Sequence, residues 1–484
     1  MIRHFRNYLS AGVVGALLGL ISFPLLTRSL SVQEYGLLGL VSATVTVFVS
    51  LSKLGLQSAI IRFFSEAQRR GTENLRQLMS NMSAAAFLLA IGGTVLWVLY
   101  VYQVLPLIDD TPLLRTLFLL ATALVPLKII QSILANILQA DQKSGTISTV
   151  SVLEKLFRLI CLAAIIVSVG LSSERALKAI IVSELVFLLV IAYCCRSYFF
   201  AVKPRLEVAV LTPLVAYGIP AMIGELSAVL LETGDRYIIQ AYLGGESLGH
   251  YAAAVNICMY LEWVLILSLQ SAIIPYYIKL YEERGREQTL LFLNNAISVY
   301  VAAGVGVFCV FSVSAPRLIL LLAGEKYSDG LLVIPWFTAG YVIIGAIGIT
   351  GAGVFIDKKT ILLVKWTGIA FIVNMLLNFA TVPRYGLIAA AVATFVAMCI
   401  RSVGVWRDAG RTLPVKVPWK VAGQSIACAV PALYLGYKVN LEVAVLDVLI
   451  SGASSCLLYG SLLLAVSSGL RLIVLNQIKQ IWMR

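Results

Sequence analysis

Leu56-Gln57-Ser58-Ala59-Ile60-Ile61 recurs unchanged as Leu269-Gln270-Ser271-Ala272-Ile273-Ile274 later in the chain. At the same offset, Gly36 of a predicted Glu34-Tyr35-Gly36 turn aligns with Gly249, and each glycine stands just before an apolar run. A short charged segment follows each copy, Arg69-Arg70-Gly71 after the first and Glu283-Arg284-Gly285 after the second. The shared sequence, spacing and flanking charge indicate an internal duplication.

The composition around these repeats is that of a membrane protein. Of the 484 residues 60% are hydrophobic and only 13% are charged, with a mean hydropathy of +0.93. A soluble globular chain is about 45–50% apolar and about 25% charged. We therefore expect an all-α polytopic membrane protein.

A transmembrane helix needs about 20 mostly apolar residues, and about fourteen such runs can be read from the sequence. They lie at about 8–27, 37–60, 78–101, 113–138, 147–170, 176–200, 211–233, 248–276, 290–313, 331–355, 361–381, 386–406, 419–438 and 443–467. The connections between them are each shorter than about 20 residues, which leaves no room for a soluble domain.

The duplication predicts how these helices are grouped. Six helices separate the two copies, so both halves should insert with the same orientation, as two parallel six-helix lobes around a central cavity. We expect an N-terminal lobe over 1–205, a C-terminal lobe over 206–410, and two extra C-terminal helices with a cytoplasmic tail over 411–484.

Lysine and arginine are concentrated in alternate connections, which predicts that both termini are cytoplasmic. This asymmetry explains most of the net charge of +13, so the charge is not evidence for nucleic-acid binding. No cofactor and no metal site is expected.

Cations inside apolar helices are the first group of candidate site residues. A charge in the bilayer is costly and normally faces a cavity or a partner, and Lys and Arg bind phosphate groups strongly. The predicted substrate-binding cavity cations are Lys53, Lys128, Lys155, Arg158 and Lys365. Lys155, Arg158 and Lys365 also lie near predicted cytoplasmic ends, where long side chains can instead reach the interface.

A second group is predicted around the seventh helix. Glu225 and Glu232 are seven residues apart and share one helix face, with Arg236 four residues further on. Either Glu232 pairs with Arg236 as a structural link, or Glu225 or Glu232 is a proton or ion site. The predicted ion-coupling or cavity group is Glu225, Glu232, Asp235, Arg236 and Glu262.

Several motifs over residues 8–406 together resemble the polysaccharide transporter branch of the multidrug/oligosaccharidyl-lipid/polysaccharide flippase superfamily, the Wzx-type flippases. The motifs, in chain order, are Pro24-Leu25-Leu26-Thr27-Arg28-x-Leu30-x-x-x-Glu34-Tyr35-Gly36, Asp235-Arg236-Tyr237-Ile238-Ile239 with Leu243-Gly244 and Gly249-His250-Tyr251-Ala252, Glu325-Lys326-Tyr327, Lys358-Lys359-Thr360, and Asn374-x-x-x-Asn378 with Pro383-x-Tyr385-Gly386-x-x-Ala389-Ala390-Ala391.

The resemblance implies a flippase that is not an enzyme. It would move an undecaprenyl-pyrophosphate-linked oligosaccharide, such as an O-antigen or another surface polysaccharide repeat unit, across the bacterial inner membrane by alternating access coupled to a cation gradient. Its partners would be that lipid-linked oligosaccharide, membrane lipids, a polysaccharide polymerase and a chain-length regulator. Asp235 and Arg236 are carried over by motif only, and a structural role for them stays open.

Other functions remain open at this point. A lipid II flippase or a drug/cation antiporter of the same superfamily is the nearest alternative. A membrane-embedded polysaccharide polymerase or glycosyltransferase is a more distant one, because such enzymes commonly need a large periplasmic loop or a clustered acidic site, and neither is visible in the sequence.

Overall fold

The computed structural model describes residues 2–108, 111–199, 205–262 and 268–467. All regular structure in these residues is helical. The helices are α1 Ile2–Ser29, α2 Val32–Ser52, α3 Leu56–Arg69, α4 Thr72–Leu99, a π-helical turn Tyr100–Val104, α5 Leu105–Ile108, α6 Pro112–Ala121, α7 Leu124–Ala140, α8 Ser144–Val169, α9 Ser173–Cys194, α10 Arg196–Phe199, α11 Val208–Thr233, α12 Asp235–Glu262, α13 Ser268–Ala323, a 3₁₀ segment Glu325–Val333, α14 Ile334–Gly345, α15 Ile347–Thr350, α16 Ala352–Ile356, α17 Ile361–Ala409, α18 Trp419–Lys438 and α19 Ala444–Val466.

The predicted all-α polytopic fold is confirmed. Ten helical stretches of the described chain are long and apolar enough to cross a membrane, judged by length and composition. Three of these ten each contain two helices joined at a glycine with positive φ: Gly244 at 83°, Gly285 at 76° and Gly386 at 65°. Every run predicted from the sequence overlaps a helix, and residues 468–484 of the predicted tail lie outside the described chain.

The turns between helices follow local chemistry. Ser31 caps α2, with its hydroxyl accepting from the Glu34 N–H and the Glu34 carboxylate accepting from the Ser31 N–H. The same carboxylate accepts from the N–H and hydroxyl of Ser173, each at 3.1 Å, at the start of α9. One acidic side chain therefore satisfies donors at two helix N-termini, where negative charge is favoured.

The break between α6 and α7 begins four residues before Pro126. Pro126 lacks an N–H and its ring crowds the carbonyl of residue 122. The helix is interrupted there, because α6 ends at Ala121 and α7 begins at Leu124. Pro24 and Pro220, by contrast, lie inside α1 and α11, and Pro335 lies in the first turn of α14.

The chain divides into two compact units, residues 1–249 and 250–484. The predicted lobe boundary at 205/206 and the grouping of helices into two parallel lobes stay predictions.

In the second unit, α18 and α19 pack on α13. Arg317 of α13 binds Asp447 of α19 at 2.8 Å, and its Nη2 donates to the carbonyls of Val439 at 2.7 Å and Gly436 at 3.2 Å. The two C-terminal helices are thus attached to the rest of their unit by a charged clamp as well as by apolar packing around Cys309 and Tyr459.

Candidate functional site

An interruption between α2 and α3 places Lys53 in the interior of the first unit. Leu54 and Gly55 adopt left-handed conformations, with φ of 49° and 71°, and α3 resumes at Leu56. At Gly55 a Cβ atom would lie 1.9 Å from the carbonyl oxygen of Gly218 in α11. Glycine is therefore required twice over, by its backbone conformation and by the close approach of α11.

Three side chains around this interruption donate to one carboxylate in α11. Glu225 accepts from Lys53 Nζ at 3.0 Å, from Ser50 Oγ at 2.9 Å, and from Gln57 Nε2. Lys53 Nζ also lies 3.4 Å from Ser132 Oγ of α7. We call these five residues the Glu225 cluster.

The Glu225 cluster is only partly shielded from solvent. The side chain of Lys53 is 9% exposed and that of Glu225 is 33% exposed. Moving both charges out of water carries a desolvation cost that is offset by their attraction and by the two further hydrogen bonds. Of this ion pair, Glu225 is the more accessible residue. A cation could therefore reach the Glu225 carboxylate while the Lys53 side chain stays buried.

A second charged cluster joins α7, α8 and α9. Glu184, whose side chain is 1% exposed, accepts from Lys128 at 2.5 Å and from Arg158 at 2.9 Å. Arg158 also binds Glu154 at 2.5 Å, and Gln131 donates to Glu154 at 3.3 Å. We call these residues the Glu184 cluster, and its two acids and two bases balance each other's charge.

The remaining predicted cations lie in different surroundings. Lys155 points away from the Glu184 cluster, because a Cβ built on Gly15 of α1 would lie 2.6 Å from its ammonium. Lys365 is exposed, lies 3.7 Å from Asp408, and stacks 4.9 Å above the ring of Trp366. The structure therefore distributes the five predicted cations over four separate places.

The predicted residues after Glu225 differ in their exposure. Glu232 is exposed, whereas Asp235 and Arg236 are buried. Arg236 donates from Nη1 to the carbonyl of Gly39 at 3.2 Å, and within the described residues it makes no ion pair with Glu232. The two side chains still interact electrostatically, and both interpretations of this group stay predictions. Glu262 is half-buried and interacts electrostatically with Arg401. The predicted binding and coupling roles of all ten residues stay predictions.

Some members of the clusters were not predicted from the sequence as site residues. Gln57 lies in the repeated hexapeptide, and its position two residues after Gly55 was the available signal. Glu154 precedes Arg158 by four residues on α8, a spacing that favours an ion pair. Ser50 and Ser132 carried no signal, since serine is common in membrane helices.

The chain is similar to known proteins in sequence. A model of the family described as "Polysaccharide biosynthesis protein" matches residues 3–281, which is more than half of the chain. The chain belongs to this family. Stage V sporulation protein B of Bacillus subtilis (strain 168) is 23% identical over 462 residues, covering 87% of this chain and 86% of that protein.

Two solved structures are similar in fold. One is described as the lipid II flippase MurJ in an inward closed conformation, with a TM-score of 0.76, 15% identity, and coverage of 96% of this chain and 99% of that one. The other is an inward-facing multidrug resistance MATE family transporter of the MOP superfamily, with a TM-score of 0.65, 15% identity, and coverage of 84% and 97%. At these identities the likeness concerns the fold alone.

The predicted membership in the multidrug/oligosaccharidyl-lipid/polysaccharide flippase superfamily is confirmed by the family match and the shared fold. The chain is accordingly a multi-pass membrane protein of a polysaccharide biosynthesis family.

Proposed function

We propose that this protein is a flippase for undecaprenyl-pyrophosphate-linked oligosaccharide, the repeat unit of an O-antigen or another surface polysaccharide. It would act in the bacterial inner membrane with both termini in the cytoplasm. The polysaccharide polymerase and the chain-length regulator of the same pathway would be its partners.

One observation carries the proposal: Lys53, at the end of the membrane-length helix α2, binds Glu225 within the membrane-length helix α11. Charges at such depth are retained where they face a transported group or a partner. The proposed substrate carries a pyrophosphate, which a lysine ammonium binds well. The family match to polysaccharide biosynthesis proteins supports the oligosaccharide as the cargo.

The geometry of the Glu225 cluster suggests how a cation gradient would drive transport. Lys53 Nζ binds one oxygen of Glu225, and a proton or metal cation that binds the same carboxylate competes with it. Cation binding would release the Lys53 ammonium for the pyrophosphate, and cation release would restore the ion pair. In this proposal, a cation bound to Glu225 raises the affinity of Lys53 for the pyrophosphate, and a bound pyrophosphate raises the affinity of Glu225 for the cation. Two coupled binding sites must affect each other in this reciprocal way.

The test is surface polysaccharide export in cells that depend on this protein. We expect Lys53→Ala to abolish surface polysaccharide while the protein remains at wild-type level in the membrane. Lys178→Ala is the matched control, because Lys178 is an exposed lysine near the start of α9 that has no place in either cluster. Normal export in the Lys53→Ala cells would remove Lys53 from the mechanism.

A lipid II flippase is the second candidate, favoured by the extent of the fold match, which covers 99% of the solved lipid II flippase. Rescue of peptidoglycan synthesis in cells depleted of their own lipid II flippase would support it. A drug/cation antiporter of the same fold would instead raise drug resistance when overproduced.

A further inference from the structure

A groove of about 300 Å³ runs between α1 and α8 in the first unit. Small residues leave room for it, since Ala11 of α1 and Gly145 of α8 are among its walls. The lining residues are Ala11, Val14, Gly145, Ser148, Thr149, Val152 and Leu153. The groove is thus mostly apolar, with two hydroxyl side chains from α8.

One of these hydroxyls has no hydrogen-bond partner among the residues that the structure describes. Ser148 is 8% exposed, and its Oγ makes no hydrogen bond. Serine in a helix commonly satisfies its hydroxyl by donating to the carbonyl four residues earlier, as Ser168 and Ser183 do here. A buried hydroxyl that forgoes this bond and lines a groove is suited to donate to a ligand.

Lys155 lies just outside the lining of the groove, on the same face of α8 as Ser148. It follows Ser148 by seven residues, or two helical turns, and side chains on a helix lean toward its N-terminus, which brings the Lys155 ammonium back toward Ser148. The ammonium rests against Gly15 of α1, where a Cβ would lie 2.6 Å from Nζ. Glycine at position 15 is what allows the lysine to cross to α1.

The charge of Lys155 is not neutralised within the described chain. Lys53, Lys128, Arg158 and Lys365 each have an acidic partner. Lys155 forms no ion pair with any acidic side chain of the residues that the structure describes, and the groove beside it is lined by no acid. An ammonium at the edge of the groove and an unpartnered hydroxyl in its lining are donors suited to an oxyanion.

We propose that the α1–α8 groove is a subsite for the phosphate headgroup of a lipid, with Lys155 Nζ and Ser148 Oγ as the donors and Gly15 as the positioning residue. The inference rests on the proposed function, and it names the pyrophosphate of the lipid-linked substrate as the ligand, at a site separate from the Lys53–Glu225 pair. A resident phospholipid would offer the same phosphate chemistry, so the experiment separates the two sources.

The experiment measures equilibrium binding of undecaprenyl pyrophosphate, undecaprenol and phosphatidylglycerol to the purified full-length chain in detergent. The wild type should prefer undecaprenyl pyrophosphate to undecaprenol. Lys155→Gln should weaken pyrophosphate binding at least about tenfold, the change expected when a charge-assisted hydrogen bond is lost. Lys178→Gln, which removes a membrane-helix lysine remote from the groove in sequence, should leave it unchanged.

Three further variants test whether a loss of binding reflects a folding defect. Gly15→Ala keeps the positive charge of Lys155 but displaces its ammonium, so this variant should weaken pyrophosphate binding. Lys155→Arg also keeps the charge and should bind pyrophosphate as the wild type does. Ser148→Ala, which leaves the packing of α8 unaltered, should weaken binding by a smaller factor. Melting temperatures measured for every variant in the same detergent identify any that is misfolded.

Each outcome decides one claim. Unchanged affinity in Lys155→Gln and Ser148→Ala, with a wild type that still prefers the pyrophosphate, overturns the subsite and leaves the proposed function standing. A wild type that binds undecaprenol as tightly as undecaprenyl pyrophosphate contradicts the proposed function itself. Equal affinity for phosphatidylglycerol, lost in Lys155→Gln, overturns the substrate assignment in favour of a resident phospholipid.

Discussion

Gly36 and Gly249, the two positions that the sequence repeat aligns, lie against each other in the structure. A Cβ on Gly36 would lie 2.5 Å from the backbone nitrogen of Gly249 and 2.7 Å from the carbonyl of Gly245, and a Cβ on Gly249 would lie 2.0 Å from the carbonyl of Val32. Val32 and Gly245 are aligned by the same offset. The close contacts are therefore reciprocal between positions that the repeat aligns.

The close contact between Gly36 and Gly249 should not tolerate a larger residue at either position. We expect Gly249→Ala to lower the free energy of unfolding by about 1–3 kcal/mol, because the added methyl group forces two helices apart. The measurement is thermal unfolding in detergent. Gly92→Ala is the control, since no atom lies within 4 Å of a Cβ at that position. Equal melting temperatures for both variants would contradict the close approach.

The Glu184 cluster should be sensitive to loss of its buried acid. In Glu184→Gln, Lys128 loses its acidic partner and Arg158 keeps only Glu154. We expect a loss of about 3–5 kcal/mol, the usual result of leaving a buried charge uncompensated. Glu442→Gln, at an exposed position before α19, is the comparison variant, and a Glu184→Gln protein as stable as this one would show that the cluster is not an electrostatic network.

The membrane helices could be predicted from the sequence, because each requires only a continuous apolar run of sufficient length. The residues at which helices begin and end are less predictable. Glu34-Tyr35-Gly36 resembled a turn but forms the first turn of α2, since Ser31 supplies the cap. The interruption at Leu54 and Gly55 was read as continuous helix, because hydropathy does not report a left-handed backbone.

The candidate site was predictable in its residue types but not in its pairing. Lys53 and Glu225 were each singled out by the cost of a charge in the membrane. Their contact spans 172 residues of sequence, and only the packing of α11 on α2 and α3 brings them together. The pairing of Lys128 and Arg158 with Glu184 has the same origin, whereas the Glu154–Arg158 pair follows from helical spacing alone.

Glu34 should stabilise the start of two helices at once. Its carboxylate accepts from the N–H and hydroxyl groups of Ser31 and of Ser173. We expect Glu34→Ala to lower the free energy of unfolding by about 0.5–2 kcal/mol, the usual cost of losing a helix cap. The measurement is the melting temperature in detergent. A melting temperature equal to that of the wild type would contradict the role of Glu34 as a shared cap.

The Arg317–Asp447 clamp should hold α18 and α19 on their unit. Asp447→Asn removes the charge that Arg317 binds and weakens the bond to the N–H of Leu441. We expect faster limited proteolysis in the connection between α17 and α18, because the two helices detach more often. Val439 and Gly436 would still accept from Arg317, so the effect should be partial. Cleavage at the wild-type rate would mean that apolar packing alone holds the helices.

The most direct test of the central claim is flipping in proteoliposomes by the purified protein. The probe is undecaprenyl pyrophosphoryl-N-acetylglucosamine with a fluorescent label on the sugar, and a membrane-impermeant reductant reports the fraction exposed outside. Under an imposed cation gradient, the wild type should expose the inner-leaflet pool, while Lys53→Ala and Glu225→Gln should leave it protected and Lys178→Ala should behave as wild type. Exposure by Lys53→Ala at the wild-type rate, or none by the wild type, would contradict an exchange of cation and pyrophosphate at the Lys53–Glu225 pair.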